Sequence, residues 1–274
     1  MPPPLDQEVL RQKSRWLRRQ TLQICRQAGE ARLGSAFSAT ELYVALYYGD
    51  FLRFDSSKPF WPQRDRFILS KGHALGGLYP VLQDLGFLTQ AEIEAICTPG
   101  GKYGPYGDCV PGLEAQWGSV GHGLGVGAGL ALGAQMDAKT WLTVVMIGDG
   151  ECYEGATWEA AMFASHHGLG NLIAIVDRNR ACSIDFTENV LRLDPLDEKF
   201  RAFGWEVETI DGHSFAEILP AFQRARTQAR TRPLCIIANT VKGKGLSQLE
   251  GNPLGHVITP STGPDLERAI RELA

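Results

Sequence analysis

The chain has 274 residues, enough for one large α/β domain with a substantial core, and its composition is ordinary except for 31 glycines clustered between Gly100 and Gly155. A net charge of -4 leaves no footprint for nucleic acid or an anionic membrane, and no apolar run reaches the ~18 residues a membrane span needs. Six cysteines (Cys25, Cys97, Cys109, Cys152, Cys182, Cys235) show no C-x-x-C pair and no zinc spacing, and no secretory leader precedes them. They read as reduced thiols of a cytoplasmic protein.

Residues 1–5 read as a frayed end. Residues 6–28 carry Leu10, Leu17 and Ile24 at helical spacing among Arg and Gln, which predicts an amphipathic helix with a solvated basic face. A second helix is expected over 39–48, because Ser38 precedes it and Glu41 follows three positions on, the spacing of a capping box. The run DRFILSKGHA predicts a buried strand over 67–69, a polar turn, and a helix opening at Ala74.

From Leu142 onward the pattern is regular. The runs LTVVMIGD, LIAIVD, WEVETID and LCIIANT are short, apolar and β-rich, and helical segments separate them. Such alternation predicts an α/β fold, a parallel sheet with helices on both faces. Ligands of these sheets bind beyond the carboxyl ends of the strands. The polar groups standing there are Ser70 to His73, Asp149 with Gly150, Asp177 with Asn179, Asp211 to His213, and Lys242 to Lys244.

Asp149 and Asn179 each follow a strand, 30 residues apart. On neighbouring strands they would supply two hard oxygen ligands of the kind Mg²⁺ takes together with phosphate. The N–H groups of Gly150 and Glu151 would then face a diphosphate. Taken singly, Asp149 also fits a helix cap and Asn179 a turn. Glu151, Glu154 and Glu159 fit a solvated helix face, with the Glu151 side chain free to point to water. Gly123-x-Gly125-x-x-Ala128 is nominally a dinucleotide fingerprint, but no strand is expected in GLEAQW ahead of it, so it fails its context. His166, His167 and His213 read as structural.

The order strand, GDG, glutamate-bearing helix, strand, D-x-N resembles the thiamin diphosphate signature. The segments DRFILSKGHA, GSVGHGLGVGAGLAL, GDGECYEGATWEAAMFASH, NLIAIVDRN, FGWEVETIDGHS and ANTVKGKG occur in the order of the transketolase family, over residues 15–257. The likeness is to the diphosphate-binding domain of that family. It implies that 1–274 is a single such domain, the N-terminal component of a split enzyme, without the pyrimidine-binding and C-terminal domains. It implies a metal, Mg²⁺ or another divalent such as Ca²⁺, held by Asp149, Asn179 and the carbonyl of Ala181. Cofactor contacts fall on Ser35, His73, Gly118, Ser119, Val120, Gly150, Glu151, Lys242 and His256. His73 and His256 would also meet the reacting substrate, while Glu154 and Glu159 would belong to a glutamate network joining two active sites.

In the family the cofactor acts as an electron sink for a carbanion, and the glutamate that activates it lies in the pyrimidine-binding domain. The expectation is therefore a chain inactive alone and active with a C-terminal partner, two copies of each. Arg32 and Pro105 stand where the family usually has histidines that touch the donor sugar, and His122 stands where glutamine is more usual. An arginine suits a carboxylate or phosphate, and proline removes a hydrogen bond. These departures point to a specialised ketose donor and an aldehyde or carrier-bound acceptor, as in secondary metabolism or unusual sugar catabolism, with His122 as proton donor or orienter. Two other readings stay open: the α component of a 2-oxo acid decarboxylase or dehydrogenase, and a non-catalytic stabilising subunit.

Overall fold

The computed structural model describes residues 6–28, 32–104, 110–116, 119–255 and 266–273. Helix α1 (Gln7–Ala28) buries Leu10, Leu17 and Ile24 along one stripe, as their spacing requires. Helices α2 (Leu33–Ser38) and α3 (Thr40–Tyr48) follow and are buried along nearly their whole length. The capping box expected of Ser38 and Glu41 is not made, for α3 starts after Ala39 without a side-chain cap. Glu41 instead accepts from the Arg18 guanidinium at 2.6 and 2.8 Å and meets the His213 ring at 2.8 Å. A buried carboxylate gains more from a fixed cation than from a helix-end amide.

Strand β1 (Arg66–Leu69) ends in a 3₁₀ turn over Gly72–Gly77, so Ala74 opens that turn's core and the first α-helical residues come later, in α4 (Tyr79–Asp84). Next come α5 (Gln90–Glu94), β2 (Ala115–Gln116), α6 (Gly123–Met136) and β3 (Thr143–Gly148). The chain continues through α7 (Gly155–His166), β4 (Leu172–Arg178), α8 (Thr187–Val190) and α9 (Leu196–Ala202). It closes with β5 (Glu206–Asp211), α10 (Phe215–Thr227), β6 (Leu234–Asn239) and α11 (Leu266–Glu272).

Strand β2 corrects the expectation that GLEAQW holds none: Ala115 and Gln116 pair with Ile68 and Leu69 at the sheet edge. Two residues are too few for any alternation to register in sequence. The glycines that follow serve packing. A Cβ on Gly123 would lie 2.4 Å from the Ser70 side chain, and one on Gly127 2.3 Å from Val145. Their absence lets α6 lie directly on β1 and β3.

The six strands are parallel in the order β2-β1-β3-β4-β6-β5. Successive residues of the central strands face opposite ways. Val144, Met146, Ile173, Ile175 and Ile236 join a core with α1, α3 and α10. Val145, Ile147, Ala174, Val176 and Ile237 join a second core with α6, α7 and α9. That two-sided burial is why these strands read as continuous apolar runs. Strands β3 and β4 are neighbours with Gly148 opposite Asp177, so whatever follows each strand emerges at one edge.

Candidate active site

At that edge lies a cleft of about 370 Å³, within the range of small-molecule sites. Asp149, Asn179 and Ala181 all line it, with His73, Ser35 and Val120 on the facing walls. Gly150, Glu151 and Glu154 line it too, as does Arg32. Ser119 and His122 do not, and the His122 side chain is exposed at the start of α6. Gly118, Pro105 and His256 lie outside the described residues.

Asp149 is almost fully buried at the start of a 3₁₀ turn, Asp149–Tyr153, so the segment after β3 is not the α-helix itself. Its Oδ1 accepts the Gly150 N–H at 2.9 Å. Its Oδ2 accepts the Arg180 N–H at 2.6 Å and the Arg178 guanidinium at 3.1 Å. Burial pushes this carboxyl up to about 6, against the pull of the Arg178 cation. A divalent cation would favour its ionised form. Arg180 adopts a left-handed φ of 63°, which brings its N–H to Asp149 and its carbonyl to the Thr187 N–H at 2.9 Å.

Asn179 Oδ1 accepts the Ala181 N–H at 3.1 Å, and its Nδ2 faces Ser38 Oγ at 3.3 Å. Residues carrying one carboxylate, one amide oxygen and one backbone carbonyl thus line a single cleft, a hard-oxygen set of the kind that fits Mg²⁺ or Ca²⁺. Among the described residues no three His, Cys, Asp or Glu side chains gather as a metal group. A set with a single carboxylate is of a different kind.

Two placements differ from expectation. The Glu151 side chain does not point to water: its carboxylate accepts Ser70 Oγ at 2.6 Å and the N–H groups of Gly121 and Gly148, each at 2.8 Å. It clamps the loop bearing Ser119 and Val120 to the ends of β1 and β3, and burial raises its carboxyl despite those bonds. The Lys242 ammonium is turned into the protein, donating at 2.8 Å to the carbonyls of Cys182 and Pro253. Burial brings it down to about 8, and it supports the cleft wall without lining the cleft. Glu154 and Glu159 are exposed, Glu154 at the cleft and Glu159 farther along α7.

Two ionic pairings escape sequence reasoning, although Lys71 and Asp177 stand among the polar residues at the strand ends. Lys71 and Asp177 form a fully buried ion pair beneath Asn179, and Lys71 Nζ also donates to the Ser35 carbonyl at 2.9 Å. Burial raises the Asp177 carboxyl, but Lys71 together with the Ser38 and Thr240 hydroxyls outweighs it and holds the group below its ordinary range. Arg178 joins Asp149 to Thr187 Oγ1 at 2.7 Å, Glu188 at 2.7 Å and Asp194 at 3.1 Å. The only signal in sequence is a cation at the end of an otherwise apolar strand.

A doubly covered parallel sheet with hard oxygen donors at its central strand ends is the architecture of an α/β ligand-binding domain. Residues 11–260 match the family described as transketolase, thiamine diphosphate binding domain. The chain belongs to the transketolase family, a family of transferases. It is 36% identical over 268 residues to one subunit of the apulose-4-phosphate transketolase of Phocaeicola vulgatus, covering 97% of this chain and 94% of that one. Against the 6-deoxy-6-sulfo-D-fructose transketolase subunit of a Clostridium species it is 37% identical, with 92% of each covered. The transketolase of Campylobacter jejuni superposes with a TM-score of 0.89 at 27% identity. There 97% of this chain covers 43% of the other, so the chain spans less than half of that solved relative.

Proposed function

We propose that this chain is the diphosphate-binding subunit of a two-component transketolase, holding thiamine diphosphate through a divalent metal and moving a two-carbon ketol unit from a ketose donor to an aldehyde acceptor. The convergence of Asp149, Asn179 and Ala181 on one cleft at the ends of adjacent strands supports this reading best. In it those three ligate the metal, and Ser35, His73, Val120 and Gly150 meet the cofactor from the cleft walls. Bound cofactor supplies the electron sink for carbon–carbon cleavage. Glu151 holds the cofactor loop, and Lys242 fixes the Cys182 carbonyl beside the cleft. Glu154 stands at the rim toward a partner chain. His122 is exposed at the start of α6, and His122→Gln, assayed for donor preference, tests its role as proton donor or orienter.

Two relatives carry names of transketolase subunits, which supports ketol transfer over 2-oxo acid chemistry and supports a second, C-terminal subunit. Both names specify sugars with an anionic group. Intact ligands argue against a purely stabilising role.

The test is titration calorimetry of Mg²⁺ and thiamine diphosphate into the chain with its partner subunit, repeated with Asp149→Ala. Binding by the native chain and none by the variant is the expected result, and equal binding by both refutes the metal assignment. Ketol transfer should require both chains. Full turnover by this chain alone would overturn the two-component reading.

A further inference from the structure

We infer that the buried Lys71–Asp177 pair is a positioning device for Asn179, deciding which end of its amide faces the cleft; the inference rests on the metal-ligand reading of Asn179 above. An asparagine amide has a donor end and an acceptor end of nearly equal shape. A hard cation takes only the oxygen. A flipped Asn179 would present NH₂ to the metal, so something must set the orientation.

The groups on the interior side of Asn179 set it. Asp177 is completely buried and accepts from the Lys71 ammonium, from Thr240 Oγ1, and from Ser38 Oγ at 2.5 Å. Asn179 Nδ2 stands 3.4 Å from Asp177 Oδ2 and 3.3 Å from Ser38 Oγ. Ser38 has one hydroxyl proton and two acceptors placed for it, Asp177 Oδ2 at 2.5 Å and the Ser35 carbonyl at 3.0 Å, and given to either it leaves a lone pair toward Asn179. Nδ2 therefore faces acceptors only. The flipped amide would set Oδ1 against a carboxylate and a hydroxyl lone pair in a buried site, leaving NH₂ against the Ala181 N–H, which now donates to Oδ1 at 3.1 Å.

Lys71 completes the device, because an aspartate buried among hydroxyls needs a cation to stay there. Its second bond, to the Ser35 carbonyl, anchors the pair to α2 on the facing wall of the cleft. The pair thus ties the ends of β1 and β4 to α2, and Lys71 itself is among the residues lining the cleft beside Asn179.

The experiment is Mg²⁺ titration in the presence of thiamine diphosphate, on the full chain with its partner subunit, with metal-free melting as a control for folding. Asp177→Asn puts an amide that can donate opposite Asn179, and it should weaken Mg²⁺ binding about 10- to 100-fold, the usual effect of changing a ligand's supporting partner. Adding Asn179→Asp should bring the affinity back to that of Asn179→Asp alone, because a carboxylate shows oxygen at both ends. Unchanged Mg²⁺ binding by Asp177→Asn would overturn the inference. So would a double variant that binds as poorly as Asp177→Asn, since that marks a structural role only. If Asp177→Asn does not fold, Ser38→Ala tests the same point by removing one acceptor, and several-fold weaker Mg²⁺ binding is then expected. Failure of the native chain to bind Mg²⁺ is a distinct outcome, which refutes the metal reading and the inference with it.

Discussion

Arg178 is one residue from Asn179, yet its work is done on Asp149, whose buried carboxylate it holds against the loop bearing Glu188 and Asp194. Arg178→Leu leaves Asp149 buried without its cation and should lower stability by about 3–5 kcal/mol in denaturant melts. Asp149→Asn in that background should restore part of the loss, since no charge is then stranded. Glu41 carries a pH signature of its own. Burial opposes its ionisation, but Arg18 and His213 more than compensate and hold the carboxyl at about 2. A depressed carboxyl stabilises the fold above its unfolded value near 4.5 and loses that contribution as pH falls through about 2. This amounts to about 3 kcal/mol. Acid titration of the fold should therefore be flatter between pH 4.5 and 2 in Glu41→Gln than in the native chain. Such partners were not legible in sequence. The residues around Asp149 and Asn179 reveal which groups leave a strand, whereas Lys71, Asp177 and Arg178 matter through what they face across the sheet edge.

Helix α6 shows the same division at the scale of an element. Its glycines are conspicuous in the sequence, but only the packed helix distinguishes those that are needed. A methyl on Gly127 would collide with Val145, whereas Gly129 and Gly133 meet nothing within 4 Å. Gly127→Ala should cost about 1–3 kcal/mol by overpacking, even after its gain in helix propensity. Gly129→Ala and Gly133→Ala should instead stabilise the isolated chain by up to about 1 kcal/mol, as thermal melts would show. The strands were legible because two-sided burial makes them apolar throughout. Strand β2 is too short to announce itself, and the inward turn of the Glu151 side chain is hidden because a 3₁₀ turn, not an α-helical face, carries it. Ser38 and Glu41 had capping spacing but found stronger partners elsewhere, a tertiary override of a local preference.

For the whole molecule, the parallel order places β3 and β4 at the centre, so the cleft opens where the sheet is most rigidly held. A ligand there binds the folded state only. Thiamine diphosphate with Mg²⁺ at 100 times its dissociation constant should add about 2.7 kcal/mol, raising the melting temperature by about 5 °C or more. Neither addition alone should match the pair, and scanning calorimetry would read the difference. The loop beside the cleft has a practical consequence. Ile184 and Leu191 are 65% and 64% exposed, and Phe186 and Val190 stand in water beside them. Apolar attraction strengthens on warming. A preparation of this chain by itself is consequently best kept cold and dilute.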